Sequence, residues 1–381
     1  MVYNIGGVSI SGTELRAYQE QAIVALRHSL ARGRQRPVMQ LPTGAGKTVI
    51  AAAIIKMARA KGNRVIFCVP ALSLINQTVD RFQANGITEI GVMQAQHEMT
   101  DPSQPVQVCS IQTLMRREIP DADLVIIDEC HMMFKFLGEW VGYQRWERIP
   151  FVGLTATPWA RGMGKIWDDL IIAVTMQDLI NQKHLCDFKV YAPAHPDLKA
   201  VKTVAGDYDL KGLGGPMIHN TKMDTIGQNR PTVCFAVNRT HAKNIQQQFE
   251  AAGLFAEYMD AYTPIDERTA IIRRFENRDT QVIVNVGVLT TGFDSDVRCI
   301  ILARPTKSEM LYVQMIGRGL RPAFGKDHLL VLDHSDTTIR LGFVTDIHHD
   351  QLCYYGVIAG AINRAGQLTH IVPDWAYGRR A

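Results

Sequence analysis

Three short runs in this 381-residue chain carry side chains whose types and spacing suit work on a phosphorylated ligand. The first is LPTGAGKT, Leu41 to Thr48. Successive backbone N–H groups across Thr43, Gly44, Ala45, Gly46 and Lys47 can cradle phosphate oxygens. Lys47 has the reach for β- and γ-phosphates, and the Thr48 hydroxyl suits Mg²⁺. The general loop pattern has glycine where this chain has Leu41, but its core GAGKT is intact. The second run is Asp128-Glu129-Cys130-His131. Asp128 is placed to hold Mg²⁺ directly or through a water, and Glu129 to orient and deprotonate an attacking water. The third is QMIGRGLRP, in which Gln314, Arg318 and Arg321 follow at helical spacing, so one helix face is expected to carry all three. Arg318 and Arg321 suit phosphate because a guanidinium makes paired, charge-assisted hydrogen bonds. Spacing alone fits a solvated helix edge equally well.

These runs need elements that aim them. Val38, Met39 and Leu41 read as a short buried strand before the first run. After it, Val49, Ile50, Ala53, Ile54 and Met57 fall at helical spacing, with Gly62 as the stop. Strand, glycine-rich turn and helix is the context a phosphate loop requires. The acidic pair ends the apolar run Leu124 to Ile127, and ligands of parallel α/β sheets bind beyond strand carboxyl ends. Apolar runs alternate with helical patterns through the first half (63–71, 74–82, 106–114, 122–131, 149–158) and again through the second (230–237, 241–252, 266–275, 280–286, 298–303, 328–333). The expected fold class is α/β, as two parallel-sheet domains in tandem. A first lobe is expected over residues 1–190, a linker and entry to the second over 191–229, the second lobe over 230–345 and a short extension over 346–381.

With 46% hydrophobic and 20% charged residues the composition is that of an ordinary globular chain. A net charge of +4 permits an acidic polymer as partner without demanding one. Seven cysteines without a CxxC pair argue against a zinc ribbon or a disulfide framework and fit a reducing interior. No signal-peptide pattern and no apolar run near about 18 residues is present, so a cytoplasmic protein without a membrane span is expected. The aromatic stretch MMFKFLGEWVGYQRW reads as packed core or lobe surface before base-stacking surface. Trp159, Arg161 and Lys165 sit on a glycine-bearing stretch that suits a strand or duplex contact and a structural loop equally. Asp346, His348, His349, Asp350 and Cys353 fit no standard zinc spacing and read as a polar surface loop.

Taken in order, these runs resemble a superfamily 2 helicase with a DEAH-like box, over nearly the whole chain. ELRAYQ is similar to the adenine-reading segment, which makes Gln19 the reader with Arg16 beside it. LPTGAGKT resembles the family's phosphate loop, DECH its Mg²⁺ and water-activating box, with Cys130 where Ala is more usual. LTATP resembles the segment in which Thr155 and Thr157, with His131 of the box, couple hydrolysis to strand movement. VLTTGFD is similar to the segment where Gly292 and Asp294 touch nucleotide and Thr290 or Thr291 touches the nucleic-acid backbone. QMIGRGLRP matches QxxGRxxR and assigns Gln314, Arg318 and Arg321 catalytic roles. The resemblance implies two RecA-like lobes with a nucleotide cleft between them, and ATP and Mg²⁺ as cofactors. It also implies backbone contacts to nucleic acid from Pro70, Ala71, Gln77, Gln112, Thr113, Arg239 and Thr240, with Thr240 equally readable as a helix cap. Such contacts are largely sequence-independent and salt-sensitive. The implied activity is an ATP-dependent helicase or translocase, with DNA favoured over RNA and a 3′→5′ polarity. Alternatives are a double-strand translocase or branch-remodelling motor, the motor subunit of a restriction or defence complex, an RNA helicase, and a catalytically silent binding module.

Overall fold

The computed structural model describes residues 14–94, 97–132, 135–192, 230–290 and 292–352, with short strands at 2–5, 8–11, 203–204, 207–208 and 371–372. Two compact units divide it, one holding residues 1–175 and a return segment from His349, the other running from Met176 to His348 and taking up the chain again near its end.

In the first unit an antiparallel hairpin, β1 (Val2–Ile5) with β2 (Val8–Ser11), precedes helix α1 (Ala17–Ala31). Then come β3 (Pro37–Gln40), α2 (Lys47–Arg59), β4 (Val65–Val69), α3 (Ile75–Ala84), β5 (Ile90–Met93), β6 (Val106–Ser110) and α4 (Ile111–Leu114). Next follow β7 (Leu124–Asp128), α5 (Lys135–Gly142), β8 (Phe151–Thr155) and β9 (Asp169–Ile172). Strands β3 to β9 form one parallel sheet in the order β5-β6-β4-β7-β8-β3-β9. β3, β4, β6 and β8 are buried from end to end, as expected of a parallel sheet covered on both faces, which is why they read as largely apolar runs. Gln40 pairs with Thr155, and Asp128 with Leu154, so the carboxyl ends of β7, β8 and β3 are level side by side.

Part of the aromatic stretch forms core beneath β8. Trp140 and Trp146 are buried, and the Trp140 ring meets Trp146 at 5.4 Å and Phe151 at 5.0 Å, both edge to face. Cys130 also packs inward: a Cβ at Gly153 would lie 2.7 Å from its Sγ, so small residues on β8 make room for the thiol.

The second unit contains α6 (Met176–Asn181), β10 (Asp187–Tyr191), the hairpin of β11 (Thr203–Val204) and β12 (Asp207–Tyr208), β13 (Thr232–Phe235), α7 (Arg239–Ala251), β14 (Ala256–Met259) and α8 (Ile265–Glu276). It continues with β15 (Val282–Asn285), β16 (Cys299–Leu302), α9 (Glu309–Gly317), β17 (His328–Asp333), α10 (Thr337–Leu341) and β18 (Ile371–Val372). Its sheet is again parallel, in the order β14-β15-β13-β16-β17-β10-β18.

Two boundaries differ from the sequence expectation. Residues 176–190 belong to the second unit, because β10 hydrogen-bonds to β17 from Asp187 opposite His328 to Tyr191 opposite Leu332. The 346–381 segment is more than an extension, since β18 adds an edge strand beside β10. Both assignments rest on pairing with residues far along the chain, which local pattern does not encode.

Candidate active site

The phosphate loop is built by two left-handed glycines. Gly44 has φ 87° and Gly46 φ 80°, a region where a Cβ is penalised. At Gly46 a Cβ would also fall 2.5 Å from Gln19 Nε2. Ala45 N–H donates to Pro42 O at 2.9 Å, closing the turn ahead of α2. Leu41, the departure from the glycine pattern, is fully buried, and its N–H donates to Thr155 O at 2.8 Å. It extends the strand ladder and fills core, while the two glycines within GAGKT carry the bend.

Helix α1 braces this loop from behind. The Gln19 amide donates to Ala45 O at 3.0 Å while its Oε1 accepts the Arg16 N–H at 3.0 Å. The Tyr18 hydroxyl donates to the same Ala45 carbonyl at 2.9 Å, and Arg16 Nη1 donates to Tyr18 Oη at 3.4 Å. Tyr18 was not singled out from sequence; its only signal there is its place beside Gln19 at the start of an amphipathic helix.

From the head of α2, Lys47 Nζ reaches Glu129 Oε1 at 2.7 Å, joining the first run to the second. Glu129 has φ 48°, an uncommon conformation for a residue with a Cβ, which turns its carboxylate out of the strand direction of β7. His131 Nδ1 lies 3.3 Å from Glu129 Oε2 and 2.8 Å from Thr155 Oγ1. Thr157 N–H donates to the same Thr155 oxygen at 3.0 Å. A continuous polar chain therefore runs Lys47–Glu129–His131–Thr155–Thr157, in surroundings where Glu129 keeps 11% and Lys47 18% of its side chain exposed.

The two carboxylates are driven apart electrostatically. Burial, reinforced by the Glu129 charge and opposed by Lys47, pushes Asp128 up to about 6. Burial acts on Glu129 in the same sense, but the Lys47 ammonium and the hydrogen bond from His131 outweigh it and hold Glu129 well below the usual carboxylate range. Glu129 is thus firmly ionised, and a buried Asp128 gains from a cation nearby. Thr48 and Asp128 offer hard oxygen donors, the kind Mg²⁺ takes alongside waters and substrate phosphates. A pair of ligands fits that mode; a closed protein cage is not needed.

In the second unit α9 ends at Gly317, earlier than the helical spacing predicts, so Arg321 lies beyond the helix rather than on the face of Gln314. The break has a packing cause: a Cβ at Gly319 would collide with Leu329 and Ile300, so the chain there presses against the sheet. Arg318 and Arg321 nonetheless converge. Each donates from Nη1 to Phe293 O, at 3.2 Å and 3.0 Å, and Arg321 Nη1 also pairs with Asp294 Oδ1. Gly292, at φ 72°, starts the turn that presents this carbonyl. Gln314 is buried on α9.

The "Type III restriction enzyme, res subunit" family model matches residues 12–160, and the "Helicase conserved C-terminal domain" model matches residues 218–323. They fall on the stretches that carry the phosphate loop and acidic box and the arginine turn, respectively. The chain belongs to the superfamily 2 helicases. A protein of Saccharomyces cerevisiae named as a candidate ATP-dependent helicase, IRC3, is 29% identical over 363 residues, which cover 85% of this chain and 52% of IRC3. The Escherichia coli type I restriction enzyme EcoKI endonuclease subunit is 24% identical, over 84% of this chain and 34% of its own length. The chain thus spans about half the length of IRC3 and a third of the EcoKI subunit. Among solved structures, a fragment of a candidate HsdR subunit of a type I restriction enzyme from Vibrio vulnificus superposes with a TM-score of 0.64 at 19% identity, covering 87% of this chain and 67% of that one. The type ISP restriction-modification enzyme LlaBIII bound to DNA gives 0.61 at 17%, over 86% and 28%. These likenesses carry the fold.

The residues that the helicase resemblance assigns to nucleic acid lie, in each unit, beyond strand carboxyl ends. Pro70 and Ala71 follow β4, with Gln77 on α3, while Gln112 and Thr113 form the short α4 after neighbouring β6. Ser110 caps α4 by accepting Thr113 N–H at 3.1 Å. Arg239 and Thr240 follow β13, and Thr290 follows the adjacent β15; Thr291 lies outside the described residues. The cap of α7 is Asn238, which accepts His241 N–H at 2.9 Å, so Thr240 is released from that role and is exposed. Arg239 pairs with Asp260 at 2.8 Å and stacks over Tyr262 at 5.0 Å.

Two other stretches resolve structurally. Trp159 is buried against His349 at 4.8 Å and Met163 is fully buried, which leaves Arg161 and Lys165 exposed on an anchored loop. His349 is therefore core rather than surface, and Cys353 lies outside the described residues. Among the described residues no group of three or more His, Cys, Asp and Glu could hold a metal ion.

Proposed function

We propose that this chain is an ATP-driven motor on nucleic acid, with DNA the favoured polymer, in which hydrolysis at the Lys47–Glu129 site is coupled to movement of the bound strand. The observation that carries the reading is the unbroken polar chain from Lys47 through Glu129 and His131 to Thr155 and Thr157. It joins the group expected to hold phosphates, the group expected to deprotonate water and the segment expected to sense the polymer, within one unit. In this reading Mg²⁺ supplies charge neutralisation at Thr48 and Asp128. Glu129, ionised and fixed by two partners, is held to orient the attacking water, and takes up its proton once Lys47 turns from it to phosphate. The arginine pair stabilises charge on the transferred γ-phosphate. Among the described residues no helix is long and apolar enough to cross a membrane.

The test is ATPase turnover on single-stranded DNA, blunt duplex, forked DNA and RNA. Strongest stimulation by DNA supports the reading; absence of stimulation by any polymer refutes it. A second reading, translocation along duplex without processive strand separation, is favoured by the restriction-enzyme relatives. It predicts strong stimulation by blunt duplex together with little displacement of a labelled strand from the fork.

A further inference from the structure

Lys326 belongs to none of the runs above, yet it holds the turn that carries the arginines. Its Nζ donates to Gly319 O at 2.5 Å, to Arg321 O at 2.7 Å and to Val297 O at 2.7 Å. An ammonium has three N–H donors, and three carbonyls take them. The intervening carbonyl, Leu320 O, accepts the backbone N–H of Cys186 at 2.8 Å, and Cys186 Sγ donates to Gly319 O at 3.6 Å. Every carbonyl of Gly319–Leu320–Arg321 is thus bound by a donor from outside the turn. The guanidinia of Arg318 and Arg321 meet at Phe293 O. Val297 and Phe293 lie on the same segment after β15, so Lys326 ties the arginine turn to the strand connection that both arginines grip.

The loop bearing Lys326 is itself anchored. Lys326 N–H donates to Ala323 O at 3.1 Å, and Arg298 donates to Phe324 O at 2.6 Å and Gly325 O at 3.1 Å. Burial lowers the Lys326 pKa, so placing an ammonium here has a solvation cost that a neutral donor would avoid. One point charge with three donors gathers three carbonyls that no single neutral side chain can satisfy together.

We propose that Lys326 is a positioning residue: by gathering the carbonyls of Gly319, Arg321 and Val297 it fixes the backbone from which Arg318 and Arg321 project, and so sets how fully they support ATP hydrolysis. The inference rests on the motor reading for its catalytic consequence and on the hydrogen bonds alone for the structural one. A displacement of about 1 Å in a group that must meet a transition state can cost roughly 10²-fold in rate.

The experiment uses the full chain with Lys326→Met, Lys326→Gln, Arg321→Ala and the Lys326→Met/Arg321→Ala double variant. It reads polymer-stimulated kcat, KM for ATP, affinity for single-stranded DNA and amide hydrogen exchange across 317–322. Lys326→Met is expected to lower kcat by about 10²-fold with KM and DNA affinity near the parent's, and to speed exchange in the turn. Lys326→Gln, which keeps two N–H donors, should recover part of the rate, and it carries the test if the Met variant fails to fold. The double variant should lose less than the product of the two single losses, because part of the Lys326 effect acts through Arg321. Parental kcat in both Lys326 variants, losses that multiply in the double variant, or unchanged exchange over 317–322 would each overturn the proposal. If Arg321→Ala itself leaves kcat intact, the catalytic reading of the arginines fails, and the exchange data still decide whether Lys326 holds the turn.

Discussion

Glu129→Gln separates binding from chemistry at the Lys47–Glu129 site. The substitution keeps the shape of the side chain and removes its charge, so it abolishes the proton acceptor while leaving β7 and the phosphate loop in place. General-base assistance is worth roughly 10² to 10⁴ in rate, or about 2.7–5.5 kcal/mol at 1.36 kcal/mol per tenfold. Polymer-stimulated kcat should fall within that range. ATP binding should move the other way or not at all. Lys47 spends its ammonium on Glu129 Oε1 at 2.7 Å, a contact that phosphate must displace. A hydrogen bond to a charged partner is worth roughly 1.5–3 kcal/mol net, so weakening the carboxylate competitor lowers the Kd for ATP or leaves it level. Steady-state ATPase with single-stranded DNA, paired with equilibrium titration of a non-hydrolysable ATP analogue, reads both quantities. Turnover within about tenfold of the parent would show that Glu129 is not the base. A weakened Kd would show that Glu129 supports the loop instead of competing for Lys47.

Arg321→Ala should cut stimulated turnover by about 10³ or more, the range of arginine fingers; a stopped-flow phosphate-release assay with an unchanged rate would remove the second unit from the chemistry. Gly46→Ala meets both a positive φ of 80° and a contact with Gln19 at 2.5 Å, so it should cost roughly 1–3 kcal/mol locally and weaken ATP binding by about 5- to 150-fold; analogue binding at parental affinity would refute the loop geometry. Burial works to raise the Glu257 pKa, but hydrogen bonds from Arg274 and Thr280 outweigh it and lower the pKa from 4.5. Its stabilisation is therefore present above pH 4.5 and lost as pH falls through the depressed folded value. Denaturant melts of Glu257→Gln should show the parent's advantage at pH 7 shrinking below that point, and an advantage that grew on acidification would reverse the assigned sign.

The chemistry-bearing runs were legible because each is local. A glycine-rich turn between strand and helix, or an acid pair ending an apolar strand, is written in consecutive residues, so the phosphate loop, the DECH box and the alternation of sheet and helix could be read directly from residue types. The helical run toward Gln314 was likewise visible, but the spacing that placed Arg321 on the same face ignored Gly319, whose close approach to Leu329 and Ile300 ends the helix first. The membership of β10 was hidden for the same reason. Its partner β17 lies some 140 residues further along, and nothing in DFKVY names it. Tyr18 and Lys326 each bond carbonyls on segments whose positions only the folded chain supplies. Composition and spacing thus determined the class of scaffold, and marked residues whose types suit a triphosphate. Which carboxylate Lys47 touches, where the arginine helix stops and what clamps the turn beyond it depend on pairings between residues distant in sequence, and only tertiary structure decides those.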